Sequence, residues 1–156
     1  LDQNLADILE AVKLLQLDAV QLSMYADNSI PEQLQDVTVI KEWVLDDLAN
    51  MNTFAEQCKT AADHVDYFYL DLEKNGITWA NVQANPTALS LLKELCTEYA
   101  VLISLVCPPD QIEAYLDRVK PHGISLQGGE EEKVGVKSFD DLDGIFECLE
   151  ELDLIY

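Results

Sequence analysis

Tyr99-Ala-Val-Leu-Ile-Ser-Leu-Val106 is a short apolar run that leads into a polar loop and then into a helical pattern. Four other runs do the same, at Asp18–Ser23, Val37–Val44, Val65–Leu70 and Gly123–Leu126. Strands that are buried on both faces read as near-continuous apolar runs, and connections long enough to hold a helix force parallel pairing. The sequence therefore predicts an α/β protein with a parallel βα repeat of five strands.

Helical patterns separate these runs, and their starting points are marked by capping residues and prolines. The predicted helices begin near Leu5, Asn52, Pro86 and Asp110, and the last begins near Ser138 or Asp140. We expect a helix in every connection, so that about six helices alternate with the five strands. Nothing in the pattern indicates a linker, and the prediction is a single domain over residues 1–156.

The length of 156 residues and the hydrophobic content of 49% are enough to build a core. No apolar run approaches the roughly 20 residues of a membrane helix, and the N-terminus lacks the pattern of a signal peptide. We therefore expect a cytoplasmic protein without a membrane partner. The chain begins at Leu1 and not at Met, so we expect further sequence upstream.

The net charge of −21 indicates which kinds of partner the protein can bind. Nucleic-acid binding depends on neutralising phosphates with Lys and Arg, and here the single arginine is Arg118. We expect no nucleic-acid partner. A large acidic surplus is more typical of a solvated surface or of salt adaptation than of a site, and a surface for a basic partner is the less favoured alternative.

The four cysteines are Cys58, Cys96, Cys107 and Cys148, and no two of them form a C-x-x-C pair. This spacing predicts neither a zinc site nor a disulfide framework, and we expect no metal and no cofactor. Cys107 follows a strand, which is where α/β folds place their chemistry. A buried thiol is still the favoured interpretation of this residue over a nucleophile.

Gly128-Gly129 follows the last predicted strand and precedes a helical pattern. Backbone amides at such a place can hold a phosphate group, although a tight turn requires glycine equally often. The sequence has neither G-x-G-x-x-G nor the P-loop motif. Phosphate binding at Gly128 and Gly129 is therefore a hypothesis from composition.

Four segments resemble phosphoribosylanthranilate isomerase in the same order and at similar spacing: Asp7–Leu22, Val39–Lys41, Tyr69–Asp71 and Val119–Ile124. The resemblance runs over nearly the whole chain. It implies a (βα)8 TIM barrel and an Amadori rearrangement in tryptophan biosynthesis. The chain would supply strands four to eight of that barrel, and its first three strands are absent from the sequence.

The resemblance also implies a catalytic residue. In the family, the aspartate that ends the sixth strand is the general acid that opens the ribose ring, and Asp71 occupies that place. A carboxylic acid at a partly dry strand end can keep a proton to donate. The alternative is that Asp71 only caps a loop. The family's general base is a cysteine on the first strand, and no residue here can replace it.

Other family positions are altered. Gln21 and Ser23 stand where the family has Gln-Leu-His-Gly, and Ser104 begins Ser-Leu-Val where the family has Ser-Gly-Gly. The resemblance implies phosphate binding by Ser104, Gly128 and Gly129, and a substrate pocket with Gln21, Ser23 and Lys41. The implied ligand is a small phosphorylated sugar-type substrate. Lys41 could instead pair with neighbours along its own strand, and the sequence does not decide between these alternatives.

Three functional hypotheses remain open. The first is a divergent isomerase with a largely altered active site. The second is a non-catalytic TIM-barrel paralogue that acts as a binding or interaction protein, because strand cores match the family while strand ends do not. The third and least favoured is an unrelated small α/β binding module. Trp43 and Trp79 flank the expected active face, where an aromatic wall or ordinary packing would explain them.

Overall fold

Five parallel strands form one sheet in the order in which they occur along the chain. The computed structural model describes residues 4–34, 36–127, 131–133, 136–137 and 140–154. The strands are β1 (Ala19–Leu22), β2 (Thr38–Val44), β3 (Tyr67–Asp71), β4 (Val101–Ser104) and β5 (Gly123–Ser125). Each lies within or next to one of the five apolar runs, which confirms the predicted parallel α/β repeat.

An α-helix follows every strand of this sheet except β1. The helices are α1 (Leu5–Leu15), α2 (Met51–Ala61), α3 (Trp79–Ala84), α4 (Pro86–Glu98), α5 (Ile112–Val119) and α6 (Asp140–Glu151). Short 3₁₀ turns lie at Pro31–Gln33, Leu48–Asn50, Glu73–Asn75 and Pro109–Gln111. A small antiparallel hairpin, β6 (Glu131–Lys133) and β7 (Val136–Lys137), precedes α6.

The main core lies on one face of the sheet, against the helices. Phe68 of β3 is 3% exposed and meets Phe54 of α2 edge to face, with ring centroids 6.5 Å apart. Its second aromatic neighbour is Tyr99, at 5.7 Å. Such aromatic pairs contribute about 0.5–1.5 kcal/mol each beyond their buried area. The α2–β3–α4 contact around Phe68 is therefore a principal source of stability.

The second face of the sheet is different, because most of its side chains are partly exposed. In register across the strands it carries Ile40, Tyr67 and Tyr69, with Gln21 at the β1 edge. Its two buried residues are Asp71 and Ser104, at the carboxyl ends of β3 and β4. A sheet with its core on one face and a half-exposed second face fits an arc of a barrel better than a doubly wound sheet, which buries both faces.

Several local predictions were wrong. The connection between β1 and β2 contains a 3₁₀ turn at Pro31–Gln33 where a helix was expected. Asn52 does not cap α2, which begins one residue earlier, after a 3₁₀ turn capped by Asp47. The hairpin β6–β7 was not predicted. By contrast, Asn85 caps α4 as expected, accepting a hydrogen bond from the N–H of Ala88.

Helix α3 was also missed, although its start carries a recognisable signal. Thr78 accepts from the N–H of Asn81, and the Asn81 side chain accepts from the N–H of Thr78. This reciprocal arrangement is a capping box, with Asn in the place that Glu or Gln usually takes. The six-residue length of α3 left too little apolar periodicity to detect.

No helix among the described residues is long and apolar enough to cross a membrane.

Lys41 fixes the β1–β2 connection to the sheet. The side chain is 4% exposed, and its Nζ donates to the carbonyl oxygen of Ala26 at 2.7 Å. Burial lowers the pKa of Lys41, and the charge of Asp27 opposes this effect. A buried ammonium therefore holds the loop that stands in place of a helix.

The Lys41→Met variant tests the burial of the Lys41 ammonium through the pH dependence of folding stability. Just below the ordinary pKa of 10.5, the unfolded chain binds the lysine proton more tightly than the folded chain, because burial lowers the folded value. The stability of the wild type relative to Lys41→Met should therefore rise as the pH increases towards 10.5. Urea unfolding of both proteins between pH 8 and 10.5 measures this difference, and a flat or falling difference would contradict it.

Candidate active site

The carboxyl ends of the parallel strands meet at one edge of the sheet, and two predicted site residues lie side by side there. Asp71 ends β3 and Ser104 ends β4, and the two are register partners. Adjacent strands lie about 4.8 Å apart, so neighbours in register on one face are within reach of a single ligand. Asp71 is 4% exposed and Ser104 is fully buried. The structure thus brings together the predicted acid and one predicted phosphate-binding residue.

Asp71 caps the turn that follows it. The backbone N–H of Lys74 donates to Oδ1 of Asp71 at 2.9 Å. The turn over Glu73–Asn75 then closes at Gly76, whose φ of 68° lies in the left-handed region that glycine adopts freely. The loop-capping role proposed as an alternative for Asp71 is therefore present, and it occupies one of the two carboxylate oxygens.

Glu73 is a site residue that sequence reasoning missed. The Ser104 hydroxyl donates to Oε2 of Glu73 at 2.8 Å, across 31 residues of sequence. The Glu73 side chain is half-buried, so its carboxylate is held against the strand end and not free in solvent. The available signal was its position two residues after Asp71 in the same loop. This contact places a second carboxylate at the edge where Asp71 and Ser104 meet.

Gln21 lies in the edge strand β1 and Ser23 follows it, and β2 separates β1 from β3. Gln21 is exposed and pairs in register with Ile40, on the same face as Asp71. Ser23 follows the end of β1, where its Oγ accepts from the N–H of Tyr25 at 3.3 Å. Gln21 therefore shares the face of Asp71 but is two strands away from it, and Ser23 lies in the loop after β1.

Lys41 lies on the opposite face of the sheet from Asp71 and Ser104. It pairs in register with Phe68, whose ring packs against α2, and its Nζ reaches the β1–β2 connection. The structure therefore does not bring Lys41 to the strand-end edge. Gly128 and Gly129 lie outside the described residues; β5 ends at Ser125, the register partner of Ser104.

Two open clefts lie near the carboxyl ends of β1, β2 and β3, and neither is lined by Asp71, Glu73 or Ser104. One of about 480 Å³ has a polar lining that includes Asp46, Asp47, Asn75, Asn81 and Asn85. The other, of about 470 Å³, has an aromatic wall of Tyr25 and Trp43, with Met24 beside them. Asp46 and Asn75 line both clefts. Trp43 is the register partner of Leu70, so the aromatic cleft lies on the helix-packed side of the sheet, opposite to Asp71.

Trp43 and Trp79 have different environments. Trp43 is half-buried and lines the aromatic cleft on the helix-packed side of the sheet, so it does not face Asp71. Trp79 is fully buried against Tyr115, with ring centroids 5.2 Å apart, and the Arg118 guanidinium lies 5.7 Å from its ring. Trp79 is therefore a core residue that joins α3 to α5, and ordinary packing explains it.

Among the described residues, no group of three or more His, Cys, Asp or Glu side chains is placed to hold a metal ion. The chemistry that the described side chains can perform there is proton transfer by Asp71 or Glu73 and hydrogen bonding by Ser104.

Comparison of the sequence with protein families and with curated proteins gives no match. Comparison with solved structures shows that the fold is similar to that of phosphoribosylanthranilate isomerases. The enzyme from Thermotoga maritima is 17% identical with a TM-score of 0.67, and the match covers 97% of this chain and 70% of that chain. The enzyme from Pyrococcus furiosus is 16% identical with a TM-score of 0.64, over 95% of this chain and 70% of that chain.

A third similar structure contains a ligand. It is a phosphoribosylanthranilate isomerase in complex with reduced 1-(o-carboxyphenylamino)-1-deoxyribulose 5-phosphate, 17% identical with a TM-score of 0.65. The match covers 96% of this chain and 68% of that chain. The resemblance found in the sequence is thus confirmed for the fold.

Cys107 should be unreactive in the folded protein. It is 8% exposed, its Sγ lies 3.6 Å from the carbonyl oxygen of Pro108, and burial raises its pKa to about 11. At pH 8 a thiol with such a pKa is a thiolate in only about one molecule in a thousand, and the thiolate is the reactive form. Iodoacetamide at pH 8 should therefore modify Cys107 much more slowly in buffer than in urea, as followed by peptide mass spectrometry. Equal rates would show an accessible, activated thiol.

Proposed function

We propose that this chain forms strands four to eight of a phosphoribosylanthranilate isomerase-like barrel, with a largely altered active site that takes a small phosphorylated sugar-type substrate. The observation that carries this proposal is the match of the five-strand arrangement to such isomerases over 95–97% of the chain. The position of Asp71 supports it further, because Asp71 is buried at the end of β3, where the sequence resemblance implies the general acid.

In this proposal Asp71 is the proton donor for ring opening. Its carboxyl group is buried, and Oδ1 is fixed by the N–H of Lys74. A fixed orientation suits general acid catalysis, because the donor must lie within hydrogen-bond reach of the reacting oxygen. The other carboxyl oxygen, Oδ2, is the proton-transfer atom.

The remaining predicted site residues have different roles in this proposal. Ser104, at the end of β4, binds the phosphate group together with Gly128 and Gly129. Gln21 and Ser23 contact the substrate from the β1 side. Lys41 acts on the pocket indirectly, because it holds the β1–β2 connection through Ala26. In the isomerase family the general base is a cysteine on the first strand, and we assign no residue among 1–156 to that role.

A second candidate is a non-catalytic barrel that binds a ligand or another protein. The observation that favours it is the state of the site: Asp71 caps a turn, and the Ser104 hydroxyl is engaged by Glu73. Both groups that the isomerase reaction requires here already have partners within the chain. This candidate predicts ligand binding without turnover.

The fluorescence of phosphoribosylanthranilate separates the two candidates. The substrate's anthranilate fluorescence falls when an isomerase converts it, so the protein at its natural length should lower the signal in proportion to enzyme concentration. An unchanged signal together with measurable binding would favour the non-catalytic barrel.

If turnover occurs, Asp71→Asn should reduce kcat at least about 10²-fold, which is the low end of the contribution of a general acid. Asparagine keeps an oxygen for the N–H of Lys74, so the turn and the fold should persist. Asp117→Asn is the matched control, because Asp117 is exposed on α5 and loses the same charge. Steady-state rates that are equal in the Asp71 variant and the control would mean that Asp71 is only a cap.

A further inference from the structure

The contact between Glu73 and Ser104 fills the place that the proposed function reserves for a phosphate oxygen. The Ser104 hydroxyl can donate one hydrogen bond, and Oε2 of Glu73 accepts it at 2.8 Å. Ser104 is fully buried, so no second acceptor can reach its Oγ while the present neighbours stay in place. A ligand oxygen can take this donor only if Glu73 leaves.

Charge adds to this competition. A carboxylate and a phosphate group are both anionic acceptors, and two like charges at a half-buried edge repel each other more strongly than in bulk water. The carboxylate of Asp71 ends the neighbouring strand in register with Ser104. The one basic side chain of this loop, Lys74, is exposed. The edge around Ser104 is therefore acidic as built.

The backbone keeps Glu73 in this position. Glu73 begins the 3₁₀ turn that Asp71 caps, and its carbonyl oxygen accepts from the N–H of Gly76 at 2.8 Å. The N–H of Leu72 donates to the carbonyl oxygen of Ser104 at 3.0 Å, which ties the start of the loop to β4. The carboxylate of Glu73 is thus delivered to Ser104 by a turn that is anchored at both ends.

We propose that Glu73 is a specificity-determining residue that competes with phosphate monoesters for Ser104 at the end of β4. The Glu73 carboxylate stands in for a phosphate oxygen when the site is empty. A phosphorylated ligand binds at this position only when it displaces that carboxylate, so the wild-type chain binds phosphate weakly there. This inference rests on the phosphate position of the proposed function and does not require that isomerisation occurs.

Isothermal titration calorimetry with inorganic phosphate tests the proposal on the 156-residue chain. Glu73→Gln removes the charge and keeps an oxygen that can accept from Ser104. The matched control is Glu94→Gln, which removes the same charge from an exposed position on α4. Glu73→Gln should bind phosphate at least tenfold more tightly than both the wild type and Glu94→Gln.

Two further variants separate the site from a general effect of charge. The double variant Glu73→Gln with Ser104→Ala should lose the gain, because the hydroxyl donor is gone. Glu73→Ala removes both the charge and the competing acceptor, so its gain should be at least as large as that of Glu73→Gln. Thermal unfolding with and without phosphate gives a second readout, because a ligand that binds only the folded state raises Tm.

Equal phosphate affinity in Glu73→Gln, Glu94→Gln and the wild type would overturn the proposal, and so would the absence of binding in all of them. A gain that survives Ser104→Ala would also overturn it, because the phosphate would then bind elsewhere. The isomerase assay is independent of these outcomes. A protein without turnover that gains phosphate binding through Glu73→Gln would refute the proposed activity and retain this inference.

Discussion

The parallel register of β3 with β2 and β4 is the constraint on which the rest of the structure depends. It places Phe68 and Leu70 on the face that packs against the helices, and Tyr69 and Asp71 on the other face. A shift by one residue would exchange these two sets and put a carboxylate into the core. The same register brings Asp71 beside Ser104. One pairing therefore fixes both the core and the strand-end edge.

The predictable part of the fold is the part that rests on burial. An apolar run predicts a strand such as Val101–Ser104. Apolar spacing and the Asn85-Pro86 start predict a helix such as α4. The connection between β1 and β2 has a 3₁₀ turn in place of a helix, and the hydrogen bond from Lys41 to Ala26 that holds it joins residues 15 positions apart, which no local pattern reveals. Likewise, the family resemblance implied Asp71, whereas Glu73 reaches this edge through a hydrogen bond from a residue 31 positions away.

The strand ends show that two proteins can have similar folds although the residues at the site differ. The fold is similar to that of the isomerases, while the edge carries two carboxylates, Asp71 and Glu73, near the hydroxyl for which we propose phosphate binding. Barrel enzymes keep their sites at this edge, where loops can change without disturbing the core. The Glu73–Ser104 contact joins a loop to the core scaffold, because the hydroxyl at the end of β4 donates its hydrogen bond to a loop carboxylate.

The most direct measurement is a double-mutant cycle between Glu73 and Ser104, followed by urea unfolding near pH 7. The four proteins are the wild type, Glu73→Ala, Ser104→Ala and the double variant. A hydrogen bond to a charged acceptor contributes about 1.5–3 kcal/mol, and alanine removes the acceptor, so we expect a coupling free energy of at least about 1 kcal/mol. A coupling of zero would mean that the carboxylate does not engage Ser104, and it would contradict this account of the site.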